Sequence, residues 1–138
     1  MKPSAVLVHG AFADSSSWAD LITALQDHDL DVVAYANPLR GVQSDAAGPT
    51  ALLRTLNGPV VLVGHSYGGA VLTAVPVDAA DITGLVHVAA FALASGESAA
   101  DASGSLPGST LGETLHTVPL ADGAVDASIE PRRYHAQF

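Results

Sequence analysis

Pro59-Val60-Val61-Leu62-Val63 runs straight into Gly64-His65-Ser66-Tyr67-Gly68, and that pentapeptide runs straight into Gly69-Ala70-Val71-Leu72. The first run has no polar break, which predicts a strand buried on both faces. The second predicts the start of a helix. Between them stands one serine flanked by glycines, where side chains would crowd a sharp turn. The expected local structure is strand, tight turn, helix, with the Ser66 hydroxyl lifted above the sheet edge.

The rest of the chain repeats the strand–helix theme. Ala5-Val6-Leu7-Val8 is a second apolar run, ended by the loop His9-Gly10-Ala11-Phe12. Ser15, Ser16 and Ser17 offer N-caps. Trp18, Leu21, Ile22 and Leu25 then fall on one helical face, and Asp27-His28-Asp29 closes that helix. Asp31 to Tyr35 predicts the next strand, ended by Asn37-Pro38. Gly48-Pro49 is expected to open a second helix, with Pro49 in its first turn and Leu52, Leu53 and Leu56 buried. Asn57-Gly58-Pro59 stops it. The helix after Ser66 must end before Pro76, and Leu85 to Ala90 predicts a fourth strand.

Four such alternations with short connections predict an α/β fold, a parallel sheet of four strands with flanking helices. Right-handed crossovers favour the order second, first, third, fourth strand. The order then reverses between the first and third strands, and ligands bind at such a reversal. The two loops that meet there are His9–Phe12 and Gly64–Gly68. From Ser95 onward the pattern weakens into loop composition, with helical turns expected near Leu111–Leu115 and Ile129–Phe138. A single domain, 1–138, is expected, with a sheet core over 1–94 and a lid-like extension over 95–138.

Composition narrows the function classes. Fourteen acidic residues against five basic ones give a net charge of −9. That argues against nucleic acid and anionic membranes as partners. There is no cysteine, so thiolate metal sites and disulfides are excluded. No His/Asp/Glu spacing resembles a metal site, and no cofactor is expected. The apolar run Ala5–Val8 is too short for a signal peptide and no window reaches membrane-spanning length. The expectation is a cytoplasmic protein.

Ser66 is the candidate nucleophile. The backbone N–H of Tyr67 and one from the loop after the first strand, Ala11, are the candidate oxyanion donors. The six histidines divide by position. His65 packs beside the turn, His87 is mid-strand, and His28 ends a helix. His9 is expected to tie down loop backbone. His116 and His135 lie in the tail, where either would have to fold back to act as a base. Asp14, Asp45, Asp78 and Asp126 lie near element ends without a context that selects one as the orienting acid.

Together, Val6 to Phe12, Ala36-Asn37-Pro38-Leu39-Arg40-Gly41, Val60 to Gly69 and Val88-Ala89-Ala90-Phe91-Ala92 resemble the α/β-hydrolase family. More narrowly, they resemble its small bacterial esterase-like branch related to plant methyl esterases and hydroxynitrile lyases. Gly96-Glu97-Ser98 and Pro107 to Gly112 resemble the start of that branch's cap. The resemblance implies Ser66 as nucleophile and Ala11 and Tyr67 as oxyanion donors. It also implies a catalytic Asp and then His beyond Phe138, so the chain reads as a minimal, C-terminally truncated hydrolase core. Gly48-Pro49 and Pro76 fall in helices that the family keeps intact.

The expected function is a serine esterase acting on small, short-chain acyl esters through an acyl-enzyme on Ser66. Its base would be His9, His116, His135 or a histidine of a partner chain. The alternative is a catalytically silent hydrolase fold that binds a small molecule or a protein. A lyase on the same scaffold is a third option. A haloalkane dehalogenase would need an aspartate where Ser66 stands. Finally, the fourth strand is an apolar edge, which invites pairing. A homo-oligomer, or the tail, is expected to cover it.

Overall fold

The computed structural model describes all residues, 1–138. Its central sheet holds β1 (Ser4–Val8), β2 (Asp31–Tyr35), β3 (Pro59–His65) and β4 (Asp81–Val88). All pairs are parallel and the order is β2-β1-β3-β4, the one the crossover argument favours. The register sets Val8 beside both Tyr35 and Gly64, and His65 beside Val88. The ends of β1 and β3 therefore meet at the reversal of strand order.

β1 shows why an unbroken apolar run was needed. Val6 and Val8 face one layer, with Ala46 and Leu53 of α2 (Val42–Leu53) and Val71 and Leu72 of α3 (Tyr67–Thr73). Ala5 and Leu7 face the other, with Trp18, Val63 and the partly buried Leu21, Ile22 and Leu25. Leu21, Ile22 and Leu25 belong to α1 (Ala19–Gln26), as their spacing predicts. Each fully buried Val or Leu contributes about 1.5–3 kcal/mol. Both layers thus clamp the strand that leads to His9–Phe12.

Several boundaries differ from expectation. A single 3-10 turn, Ser15–Trp18, precedes α1, and Asp14 caps it through the Ser16 N–H. α2 begins at Val42, not at Gly48-Pro49, and Pro49 lies buried inside it. An interior proline costs a helix about 3 kcal/mol. The start signal that outweighs it is Asp45, whose carboxylate reaches back to the N–H groups of Arg40 and Gly41. Gly41, at φ 143°, makes the turn into the helix. β4 starts earlier than Leu85, because it follows β3 from the pair Pro59–Asp81. It ends before Ala89, whose φ of 42° leaves the strand conformation.

The outer side of β4 is open: Leu85, Val86 and Val88 keep 51%, 44% and 41% of their surface exposed. No helix is long and apolar enough to cross a membrane.

Residues 1–102 and 103–138 form two compact units. α4 (Ala99–Gly104) straddles the division. The second unit has a 3-10 turn at Leu111–Thr114, then an antiparallel hairpin of β5 (Leu115–Pro119) and β6 (Val125–Ile129), then α5 (Pro131–Gln137). Both helical turns occur near their expected places. The hairpin was not expected, although Asp122-Gly123 is a hairpin signal and Gly123 has the positive φ, 84°, of such a turn.

Candidate active site

The site begins with a conformation. Ser66 has φ 51° and ψ −121°, a combination that glycine adopts freely and serine does not. The strain is held by close packing on either side. A Cβ at Gly64 would sit 2.7 Å from Gly69 N, and one at Gly68 would sit 2.2 Å from the Val8 carbonyl oxygen. Only bare backbone lets α3 turn back so closely over β1 and β3. Ser66 itself is half-buried at the apex.

The loop after β1 lies directly against that apex. A Cβ on Gly10 would come within 2.8 Å of the Ser66 Cβ and 3.1 Å of the His65 carbonyl. Gly10 therefore brings bare backbone into contact with the serine, and Ala11 follows it. The Ser66 carbonyl accepts hydrogen bonds from Gly69 N–H (3.0 Å) and Phe91 N–H (3.1 Å), and Ser66 N–H donates to Val88 (3.3 Å). Since a peptide is planar and trans, tying down that carbonyl also fixes the opposite direction of the Tyr67 N–H.

The histidines take the places their positions imply. His9 is buried, and its ring joins two segments. Nε2 accepts from Asn37 N–H at 2.9 Å, which leaves the proton on Nδ1 to donate to the Gly10 carbonyl at 2.8 Å. Both ring nitrogens are thus occupied by backbone, and the ring holds the loop rather than Ser66. His65 stands edge-on to Trp18, with ring centroids 6.3 Å apart and planes at 89°. His87 in β4 lies against the first turn of α3, next to Gly69, with Nε2 buried and unpartnered. His116 and His135 belong to β5 and α5 of the second unit. No group of three His, Asp or Glu side chains is arranged to hold a metal ion.

Sequence reasoning did not single out Asp45, which is only 1% exposed. Its carboxylate accepts from Arg40 N–H at 2.9 and 3.0 Å, from Gly41 N–H at 3.3 Å and from the Tyr67 phenol at 2.8 Å. Burial, and then the Asp45 carboxylate, push the Tyr67 phenol well above the usual tyrosine range. The phenol thus stays a donor throughout neutral pH. One signal was present in the sequence: an acid four residues after a glycine, where a side chain can reach back over a helix start.

A parallel sheet whose inner strand delivers a serine at a strained apex, beside the bare backbone of the neighbouring loop, defines a strand–elbow–helix protein of the α/β class. The chain belongs to the alpha/beta hydrolase family, whose family model matches residues 5–137. No curated protein matches it in sequence. Among solved structures it is similar to polyneuridine aldehyde esterase, with a TM-score of 0.78 and 18% identity over 99% of this chain and 61% of that one. A pyrethroid hydrolase from Sphingobium faniae JZ-2 gives 0.72 and 20%, over 96% of this chain and 58% of that one. An extracellular alpha/beta-hydrolase from a Paenibacillus species gives 0.61 and 24%, over 71% of this chain and 45% of that one. At these identities the likeness shows the fold. The chain spans between 45% and 61% of the length of these three proteins.

Proposed function

We propose that this protein is a serine esterase acting on small, short-chain acyl esters through an acyl-enzyme on Ser66. Ser66 Oγ attacks the ester carbonyl carbon and its proton passes to a base. The carbonyl oxygen becomes an oxyanion between the N–H groups of Tyr67 and Ala11. Collapse expels the alcohol, which takes up a proton, and leaves the acyl group on Ser66. Water then releases the acid by the same steps. Each amide donor is worth about 3 kcal/mol in sites of this kind. Even without a complete triad, such a site supports about 10³–10⁴-fold catalysis over water.

The observation that carries this reading is the backbone of Ser66, at φ 51° with Gly10 packed against its Cβ. Strain of this kind persists only where surrounding structure over-determines it, and it clusters at functional sites. The esterase and hydrolase names of the similar structures support the same chemistry. The base in this reading is His116, His135 or a histidine from a partner chain, since the His9 ring is engaged by backbone. Residues 95–138 serve in it as a cap-like extension. A second copy of this chain covers the open side of β4.

A catalytically silent fold that binds a small molecule or a protein is the competing reading. It gains from the engagement of His9 and from the edge-on packing of His65 against Trp18. The two separate on one experiment. The pure protein is treated with a fluorophosphonate, and hydrolysis of p-nitrophenyl acetate is measured beside Ser66→Ala. The esterase reading expects a label on Ser66 and a rate that Ser66→Ala abolishes. An unlabelled Ser66 and equal rates in both proteins would overturn it.

A further inference from the structure

We infer that Asp45 is a positioning residue for the Ser66–Tyr67 peptide, acting through the Tyr67 phenol; as a device for catalysis this rests on the esterase reading. The chain places Asp45 on α2 and Tyr67 directly after the apex, 22 residues apart, yet their side chains meet at 2.8 Å. Asp45 is a buried carboxylate, and a buried carboxylate needs its partners. It has three donors: two backbone N–H groups from the turn before α2, and the phenol. The turn it grips is itself irregular, with Leu39 strained at φ 61° and Gly41 at φ 143°, a conformation glycine takes without steric cost. The carboxylate therefore joins two irregular segments, Leu39–Gly41 and Ser66–Tyr67, that no strand pairing connects.

The peptide between Ser66 and Tyr67 is then held from both ends. Gly69 N–H and Phe91 N–H grip its carbonyl. The Tyr67 side chain, anchored to Asp45, holds the residue that carries its N–H. The first grip sets the plane of the peptide; the second stops Tyr67 from rocking about it. An amide donor aimed at an oxyanion must hold its direction before the charge develops, and small misplacements are costly. Loss of the anchor is therefore expected to act on turnover more than on substrate binding.

Tyr67→Phe is the variant of choice, because it removes one hydroxyl and leaves Asp45 with both backbone donors. Amide hydrogen exchange is read at Gly69 and Phe91, with Val6 and Leu7 of β1 as internal references. Exchange at Gly69 and Phe91 is expected to rise about tenfold, with the references unchanged. For p-nitrophenyl acetate, kcat is expected to fall about tenfold with KM within about twofold. Affinity for a short trifluoromethyl ketone, which forms an oxyanion on the enzyme, should fall in step with kcat. Asp45→Asn should reproduce these changes, with little further loss when combined with Tyr67→Phe. Unchanged exchange at Gly69 and Phe91 overturns the inference. So does a tenfold rise in KM at constant kcat, which would mark a binding role. Should the parent protein neither hydrolyse the ester nor label, the esterase reading falls, and exchange still decides the anchor.

Discussion

Replacing Ser66 by glycine is expected to leave a more stable protein than replacing it by alanine, although both lose the hydroxyl. At φ 51° and ψ −121° a residue with a Cβ stores about 1–3 kcal/mol of backbone strain. Glycine releases it. Against this, glycine gives the unfolded chain more freedom, which costs about 0.5–1 kcal/mol. The central values of these ranges leave Ser66→Gly ahead of Ser66→Ala by roughly 1 kcal/mol. For a chain of this size that amounts to a rise in Tm of roughly 3–5 °C. Urea unfolding of the two variants, followed by circular dichroism, gives the difference directly if their slopes agree. The comparison isolates the backbone, since neither variant can form an acyl-enzyme. A Ser66→Gly protein no more stable than Ser66→Ala would refute the strained apex, and with it the main support for Ser66 as nucleophile.

Gly68→Ala directs a methyl group to 2.2 Å from the Val8 carbonyl oxygen and 2.9 Å from that of His9. The buried strand cannot retreat, so a loss of about 3 kcal/mol or more is expected in urea unfolding; a loss below 1 kcal/mol would contradict the packing. His9→Ala leaves the buried Asn37 N–H without its acceptor, an expected cost of about 1–3 kcal/mol; an unchanged unfolding midpoint with abolished turnover would instead make His9 a base. The Tyr67 phenol ionises at a higher pH in the folded chain than in the unfolded one. Its contribution to stability is whole below about pH 10 and is lost as pH climbs towards the folded value. Tyr67→Phe should therefore flatten the fall in stability above pH 10 by at most one proton's slope, and by less because the phenol is partly solvated; parallel curves would exclude the linkage. Val86→Lys, on the open side of β4, should convert an oligomer to monomer in sedimentation, and an unchanged mass would remove the second copy from that edge.

The strand order and the two loops of the site were legible because they depend on short-range signals. Unbroken apolar runs mark strands buried on both sides, and Gly64, Ser66 and Gly68 mark a turn that few other residues permit. Right-handed crossovers then supply the order. The start of α2 was misread for a definable reason. Gly48-Pro49 is a strong local signal for a helix opening, and the opposing signal from Asp45 is visible only once its carboxylate has found Arg40, Gly41 and Tyr67. The Asp122-Gly123 hairpin was legible in principle, but its flanking strands alternate too weakly to show a buried face, and all but one of their residues are exposed.

By itself the sequence determined the α/β class and a serine between glycines at the end of a buried strand, because each follows from signals within a few residues along the chain, and the sheet order, because crossovers between parallel strands have one hand. Only the tertiary structure decided that His9 ties Asn37 and Gly10 together, that Gly10 rests on Ser66, and that a buried aspartate reaches the residue after the apex. Those outcomes come from segments about 22 to 56 residues apart being pressed into one place. Which polar groups then become partners is set by burial and distance in three dimensions, and neither is written in the local order of residues.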